Sequence, residues 1–304
     1  MTTIEQLATA LEPLGTLKRA EMLSRHTTFG IGGPADLFLT VRDAQSLRRA
    51  AATAHAAGIA PFVLGSGSNI LVADAGIRGL VIDNRARKEE PDGSGLRYVL
   101  ESGMSFAAFA RRMCKAGFAG LSWAVGIPGT LGGAVVYNAG AYGGCLADVL
   151  RRVRLSEGED AGRWYEAADL GLVYRGSVFT RGIFAGKTVL EAEVELVPGD
   201  APTLLAEAAA HDRKRLGAQP RGRNAGSMFK NPVERPAWKL IDDVGLRGER
   251  RGDAAISDLH CNFFVNHGQA RAADVAWLVN EAERRVFAQF GVRLEREVAF
   301  VGEW

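Results

Sequence analysis

The chain of 304 residues has few cysteines, no excess of either charge and no long apolar run. Its three cysteines, Cys114, Cys145 and Cys261, are isolated and odd in number, so they indicate neither a disulfide framework nor a metal-ligand spacing. The formal net charge is +2, from 37 basic and 35 acidic side chains. Because nucleic-acid-binding domains cluster their basic residues and carry a clear positive excess, we expect no nucleic-acid partner. The spacing of the cysteines likewise leads us to expect no metal site.

Membrane and export signals are also missing from the sequence. No segment approaches the ~20 consecutive apolar residues that a membrane-spanning helix needs. The first residues, MTTIEQLATALEPLG, carry acidic and polar side chains where a secretory signal peptide has a basic start and an apolar run. We therefore expect a cytoplasmic protein that has no membrane partner and exists as a monomer or a weak dimer.

Glycine, by contrast, is abundant, with 37 residues or about 12% of the chain against a usual share of about 7%. One cluster, Gly65-Ser66-Gly67-Ser68-Asn69, lies between two apolar segments that read as strands, 61–64 and 70–72. Small residues let several backbone N–H groups approach an anion such as a pyrophosphate. The loop runs into a strand and not into a helix, so it is not the Rossmann fingerprint. A plain tight turn explains this cluster equally well.

A second cluster lies in residues 120–145, which are rich in glycine and alanine and contain no charged side chain. Within it, Gly126-Ile127-Pro128-Gly129-Thr130-Leu131-Gly132-Gly133-Ala134 predicts another anion-binding turn. Two such loops, each beside buried strands, fit one extended ligand that contains a pyrophosphate. The alternative is tight core packing of glycine-rich strands.

Elsewhere, apolar periodicity and turn residues predict alternating helices and strands. The predicted helices are residues 3–11, 43–55 with Asp43 as the cap, 105–117, 202–216, 238–244 and 270–290. The predicted strands are residues 35–41, 61–64, 70–72, 80–82, 98–100, 149–155, 189–196, 263–266 and 298–301. Mixed elements of this kind indicate an α+β protein that contains a strand–helix–strand unit near its start.

Six segments together give a family resemblance. In chain order they are TFGIGGPADLF, LGSGSNILV, GIPGTLGGAVVYNAGAYGG, YRGSVF, NAGSMFKNP and LEREV. This combination resembles the UDP-N-acetylenolpyruvoylglucosamine reductase family, in its compact subtype. The resemblance implies an FAD-binding fold of the vanillyl-alcohol-oxidase/PCMH type in two subdomains, residues 1–80 with 298–304 and residues 81–201. It also implies a C-terminal α+β substrate-binding domain, residues 202–297.

The resemblance also implies the ligands of the protein. The cofactor would be non-covalent FAD, the co-substrate NADPH, and the substrate UDP-N-acetylglucosamine enolpyruvate. The product would be UDP-N-acetylmuramate, a peptidoglycan precursor. Carried over by motif, the implied FAD contacts are Gly65, Ser66, Gly67, Ser68, Asn69, Gly126, Pro128, Gly129, Thr130, Gly133 and Ala134.

The implied catalytic residues are Arg175, Ser227 and Glu297. Hydride addition to an enolpyruvyl ether pushes negative charge into an enediolate-like intermediate, which needs a cation and hydrogen-bond donors. Arg175 stays charged and can bind a carboxylate through two hydrogen bonds. We expect Glu297 to act protonated, because burial beside the substrate's charge raises the pKa of a carboxyl group. Ser227 would donate the proton, with Lys230 as one candidate cation to stabilise its alkoxide.

Two more residues, Tyr174 and Asn231, would contact the substrate by the same resemblance. The chain departs from the family at Ala299, where members often carry an arginine two residues beyond the catalytic glutamate. Any contact made by that arginine must be lost or supplied by another base, for instance Arg293 or Arg296.

Other interpretations exist for each of these features. Without the resemblance, Ser227 reads as a turn or helix cap, Arg175 as part of a surface ion pair, and Glu297 as a solvated charge. For the whole chain, the alternatives are another FAD-dependent oxidoreductase of the same fold and a flavin-binding protein without catalysis. Neither alternative explains why YRGSVF and NAGSMFKNP occur together.

Overall fold

A computed structural model describes residues 4–158 and 161–304. The described residues form two compact units, and each is described by itself. Unit 1 takes its residues from Met1–Arg19, Leu37–Gly65 and Gly79–Lys214, and unit 2 from Ala20–Asp36, Ser66–Arg78 and Arg215–Trp304. The division into three domains stays a prediction.

Within the described residues the chain forms seven α-helices. They are α1 (Ile4–Leu11), α2 (Ala44–Ala56), α3 (Phe106–Lys115), α4 (Leu131–Tyr137), α5 (Ala201–Ala218), α6 (Ala237–Asp243) and α7 (Ala272–Phe290). Six of them lie where the sequence predicts a helix, and α4 is the exception. None of these helices combines the length and the apolar character needed to cross a bilayer.

The described strands are short, and all of them pair into small sheets. They are β1 (Thr16–Met22), β2 (Pro34–Val41), β3 (Phe62–Leu64), β4 (Ile70–Val72), β5 (Ile77–Asn84), β6 (Glu89–Pro91), β7 (Arg97–Glu101), β8 (Phe118–Ala119), β9 (Gly140–Ala141), β10 (Gly144–Cys145), β11 (Leu150–Ser156), β12 (Arg163–Glu166), β13 (Thr188–Glu195), β14 (Val197–Pro198), β15 (Arg250–Arg251), β16 (Ala254–Ile256), β17 (Phe264–Asn266) and β18 (Ala299–Val301).

Unit 1 contains an antiparallel sheet with the strand order β12-β11-β13-β7-β6. Its apolar core includes Phe106 and Phe109 of α3 and Leu131 of α4, all with at most 1% of their surface exposed. Burying side chains of this size contributes about 1.5–3 kcal/mol each to the free energy of folding. The core therefore holds both ends of the second glycine-rich loop, at Val125 before it and at Leu131 where α4 begins.

The predicted strand–helix–strand unit is confirmed as β2, α2 and β3. Asp43 caps α2, since its carboxylate accepts a hydrogen bond of 2.7 Å from the backbone N–H of Ser46. The sheet order is β1-β2-β5-β3, with β3 parallel to β5, and most residues of this sheet belong to unit 1. Leu47 of α2 packs in its core. β3 ends at Leu64, so the sheet fixes the start of the first glycine-rich loop.

Unit 2 contains the antiparallel sheet β15-β16-β17 and the parallel pair β18-β4. Helices α6 and α7 pack in the same core, which includes Phe229 and Phe264 with ring centroids 6.2 Å apart. β4 directly follows the first glycine-rich loop, and β18 directly follows the LEREV segment. Their pairing therefore places two of the six family segments side by side.

Candidate active site

The first glycine-rich loop needs glycine at position 67. Gly67 has a φ of +63°, a left-handed conformation that side chains disfavour, and a Cβ there would lie 2.2 Å from the carbonyl oxygen of His26. The backbone N–H of Thr28 donates to the Gly67 oxygen at 3.0 Å. This part of the loop is therefore fixed against the TFGIGG segment, within unit 2.

The start of the same loop meets the second loop, within unit 1. A Cβ on Gly65 would lie 2.5 Å from Oγ1 of Thr130. Because real Cβ atoms do not approach a neighbour so closely, any side chain at position 65 would require Thr130 to move. The structure thus brings together Gly65 and Thr130, two residues that the resemblance assigns to FAD.

Backbone donors remain available on both loops. Across residues 4–158 and 161–304, the N–H groups of Ser66, Gly67, Gly129 and Thr130 donate to no backbone oxygen. The second loop is instead anchored by its neighbours, since Leu131 donates to the carbonyl of Met104 at 2.9 Å. N–H groups on glycine-rich backbone that are not used by backbone oxygens are what a pyrophosphate binds. These residues therefore fit FAD.

Helix α4 corrects one sequence-based expectation. The sequence predicts a loop beside buried strands, but in the structure the second loop leads into a helix. Gly132, Gly133 and Ala134 therefore lie in the first turn of α4, which begins at Leu131. Glycine is about 0.8–1.0 kcal/mol less favourable than alanine in a helix, which conceals such a helix from propensity alone. Gly132 packs closely, with its Cβ position 3.1 Å from that of Ser102, whereas the nearest atom to a Cβ on Gly133 is 3.9 Å away.

Arg175 lies on a tight turn of unit 1. Val173 and Gly176 close the turn through two backbone hydrogen bonds of 3.0 and 3.2 Å. Arg175 itself has a φ of +51°, which is uncommon for a residue with a side chain. Its guanidinium carbon lies 5.4 Å from the centre of the Tyr174 ring, and 58% of Tyr174 is exposed.

The segment after the second loop holds this turn in place. The Ser177 hydroxyl donates to the carbonyl of Val136 at 2.6 Å, and the Asn138 amide donates to the carbonyl of Val173 at 3.0 Å. Asn138, which ends α4, has a left-handed φ of +43°. Within unit 1, one helix therefore joins the candidate FAD loop to the turn that carries Arg175.

Ser227 and Glu297 lie on neighbouring extended segments of unit 2. The backbone N–H of Glu297 donates to the carbonyl of Met228 at 2.8 Å, and the N–H of Lys230 donates to the carbonyl of Glu295 at 2.8 Å. Both Ser227 and Glu297 are half-buried. The structure therefore pairs the backbone segments that carry these two candidate catalytic residues, while the convergence of their side chains with Arg175 stays a prediction.

Asn69 and Thr28 join the first loop to these segments. The Asn69 amide donates to the carbonyl of Glu297 at 3.1 Å, and the N–H of Ala299 donates back to the carbonyl of Asn69 at 3.1 Å. The Thr28 hydroxyl donates to the carbonyl of Asn224 at 2.7 Å. Four of the six family segments are thus hydrogen-bonded to each other within unit 2.

Other candidate side chains have structural partners. The Lys230 ammonium forms an ion pair with Glu295. Arg296 bonds Glu283 at 2.6 and 2.8 Å, and that carboxylate raises the pKa of the arginine. The Asn231 side-chain oxygen accepts a hydrogen bond of 3.1 Å from the first N–H of α6. Asn231 therefore already has a structural role, since its side chain satisfies the first N–H of α6.

Sequence reasoning did not identify Thr28 or Asn262 as parts of this region. Asn262 is 2% exposed and bonds the backbone next to Ser227. The available signal was a polar residue in the apolar run CNFFVN, because a buried polar side chain must find partners. Nothing in the local sequence indicates which partners those are.

Two parts of the chain match known protein families. Residues 219–301 match the family described as UDP-N-acetylenolpyruvoylglucosamine reductase, C-terminal domain, and residues 34–161 match a family described as an FAD binding domain. UDP-N-acetylenolpyruvoylglucosamine reductase 2 of Symbiobacterium thermophilum is 39% identical over 301 residues, which cover 98% of this chain and 96% of the relative. The reductase of Desulfosudis oleivorans is 42% identical over 298 residues, covering 94% and 95%.

A solved structure gives the same result. The crystal structure of UDP-N-acetylenolpyruvylglucosamine reductase (MurB) from Thermus caldophilus matches with a TM-score of 0.80 and 36% identity, over 94% of this chain and 98% of that one. The predicted fold class, α+β with an FAD-binding fold, is confirmed, and so is FAD as the cofactor. With such similarity along nearly its whole length, the chain belongs to the UDP-N-acetylenolpyruvoylglucosamine reductase family of FAD-dependent oxidoreductases.

Proposed function

We propose that this chain reduces UDP-N-acetylglucosamine enolpyruvate to UDP-N-acetylmuramate in the cytoplasm, with FAD bound and NADPH as reductant. The observation that supports the proposal is the hydrogen bond from the backbone N–H of Glu297 to the carbonyl of Met228, which joins the segment of Glu297 to the segment of Ser227. The Asn69 amide ties the same Glu297 segment to the first glycine-rich loop. Relatives that are 39% and 42% identical carry the name of this reductase. The protein acts as a monomer or a weak dimer.

The FAD contacts are the residues named from the sequence on the two glycine-rich loops. Bound FAD supplies the hydride. Ser66 and Gly67 on one loop, and Gly129 and Thr130 on the other, offer backbone N–H groups to the pyrophosphate. The domains follow the same division, with residues 1–80 and 298–304 and residues 81–201 holding FAD, and residues 202–297 holding substrate.

The candidate catalytic residues stabilise the negative charge that develops on the substrate and supply the proton that it takes up. Arg175 binds the substrate carboxylate and stabilises the negative charge that develops there. Glu297, in its protonated form, donates a hydrogen bond to the same incipient enediolate. Ser227 donates the proton to the carbon beside the carboxylate. Tyr174 and Asn231 contact the substrate outside the reacting carbons.

The experiment is Ser227→Ala, followed through both half-reactions. Loss of a general acid typically costs about 10²- to 10⁴-fold in rate. We therefore expect NADPH to bleach the bound flavin of the variant at nearly the wild-type rate. Reoxidation by the enolpyruvyl UDP-sugar should be slower by that factor. The control is Ser94→Ala, since Ser94 is exposed and its hydroxyl bonds within its own turn, to Asp92 and Leu96.

Three outcomes contradict the proposal. Unimpaired reoxidation of the Ser227→Ala flavin by the UDP-sugar removes Ser227 from the proton-donating step. Wild-type flavin that is reoxidised by oxygen but not by the UDP-sugar indicates a different FAD-dependent oxidoreductase. Binding of the UDP-sugar without consumption of NADPH indicates a flavin protein without this activity.

A further inference from the structure

Asn262 makes three hydrogen bonds to the backbone immediately after Ser227. Its main-chain oxygen accepts from the N–H of Met228 at 2.7 Å. Its side-chain oxygen accepts from the N–H of Phe229 at 2.9 Å, and its side-chain nitrogen donates to the carbonyl of Phe229 at 2.8 Å. With 2% of its surface exposed, Asn262 makes these bonds away from water.

The chemistry of this contact suits an amide in particular. Phe229 presents both a donor and an acceptor to the same side chain, and a carboxamide supplies one of each in a planar arrangement. An unmade bond here would leave a buried polar group unsatisfied, which is unfavourable. Asn262 therefore fixes both the position and the direction of residues 228–229.

Residues 228–229 also carry the link between the two candidate catalytic segments. The carbonyl of Met228 accepts a hydrogen bond from the backbone N–H of Glu297, and Ser227 is the residue before Met228. Asn262 holds one side of this stretch, and the segment of Glu297 holds the other. A shift of residues 228–229 would therefore move the Ser227 hydroxyl relative to the Glu297 carboxyl.

Asn262 is itself held by the turn before it. Its backbone N–H donates to Nδ1 of His260 at 3.3 Å, and the Ser257 hydroxyl accepts from the N–H of His260 at 3.3 Å. Burial lowers the pKa of His260, which favours the neutral ring whose Nδ1 can accept. We call the three hydrogen bonds from Asn262 to residues 228–229 the Asn262 clamp. The residue that makes this clamp is held by an ordered turn.

We propose that Asn262 is a positioning residue for the proton-donating step, setting the Ser227 hydroxyl against the Glu297 carboxyl without touching the substrate. This inference rests on the proposed roles of Ser227 and Glu297. A misplacement of about 1 Å can cost about 10²-fold in the rate of a chemical step. Loss of the Asn262 clamp should therefore slow the step that uses the donors and leave flavin reduction by NADPH unchanged.

The test compares Asn262→Ala with Asn266→Ala in the FAD-loaded protein. Asn266 is a matched control, since it is also buried, at 4% exposure, and its side chain bonds Phe29, Gly268 and Ala270 instead. For Asn262→Ala we expect near-normal bleaching by NADPH and reoxidation by the enolpyruvyl UDP-sugar slowed about 10²-fold, seen in kcat more than in KM. Asn266→Ala should reoxidise at close to the wild-type rate.

A second variant, Asn262→Asp, gives a pH signature. An ionised carboxylate accepts from the N–H of Phe229 but cannot donate to its carbonyl, whereas a protonated carboxyl does both. The reoxidation rate of Asn262→Asp, divided by that of the wild type at the same pH, should therefore rise as the pH falls. This ratio also tests the proposal if Asn262→Ala fails to fold.

The outcomes separate this inference from the proposed function. If Ser227→Ala is slow in reoxidation while Asn262→Ala is not, the positioning role is wrong and the role of Ser227 stands. If Ser227→Ala reoxidises normally, the proposed function is wrong at that residue. Equal slowing of both half-reactions in Asn262→Ala, or a rate ratio for Asn262→Asp that is flat with pH, reduces Asn262 to a structural residue and overturns the inference.

Discussion

The substitution Gly133→Ala should affect the stability of the FAD-free protein and its affinity for FAD in opposite directions. The change adds one methyl group to the first turn of α4, where the nearest atom to the new Cβ is Oγ1 of Thr130, at 3.9 Å. Gly133 is exposed in the absence of a ligand. The FAD-free protein therefore has room for the methyl group.

We expect the substitution to raise the stability of the FAD-free protein and to weaken its binding of FAD. Alanine is favoured over glycine in a helix by about 0.8–1.0 kcal/mol, so the FAD-free variant should unfold at a Tm about 1–2 °C higher. FAD is proposed to approach the backbone at Gly133, and an added methyl group in a close contact typically costs about 1–3 kcal/mol. That free energy corresponds to an FAD dissociation constant about 5- to 150-fold larger.

The assay is a thermal melt of the FAD-free protein together with a flavin-fluorescence titration. Gly217→Ala is the control, because Gly217 lies near the end of α5 with no atom within 4 Å of its Cβ position. It should gain stability without any change in FAD affinity. An unchanged affinity in Gly133→Ala would refute the placement of FAD there, and a lowered Tm would refute the packing argument.

Two further predictions concern the first loop and the acid side of the stability curve. Gly67→Ala should yield protein with little FAD and a lower Tm. A left-handed φ costs a residue with a side chain about 1–2 kcal/mol, and the new Cβ would meet the backbone carbonyl of His26, which cannot rotate away. A wild-type FAD content in the purified variant would contradict this prediction. Hydrogen bonds from Arg284 and Arg285 hold the pKa of Glu281 at about 2, so its contribution to stability is present above the unfolded pKa and is lost as the pH falls towards 2. Melts of Glu281→Gln and wild type should accordingly differ modestly above about pH 4.3 and converge towards pH 2; a gap that widens on acidification would show that the reasoning is wrong.

Local sequence was sufficient for most elements of this fold. Six helices lie where apolar spacing and turn residues predict them, and Asp43 caps α2 as expected. Helix signals of this kind act over a few residues, so they can be read without knowing the rest of the chain. The order of the family segments likewise predicted the FAD-binding fold, which the comparisons confirm.

The tertiary structure alone decided which distant residues meet. Asn69 bonds Glu297 across 228 positions, Gly65 approaches Thr130, and Asn262 clamps the backbone beside Ser227. A short polar motif indicates that a group must be bonded but does not specify the partner, because any segment brought near by burial can satisfy it. Helix α4 remained hidden for a related reason: packing against the unit 1 core, and not helix propensity, stabilises its glycine-rich sequence.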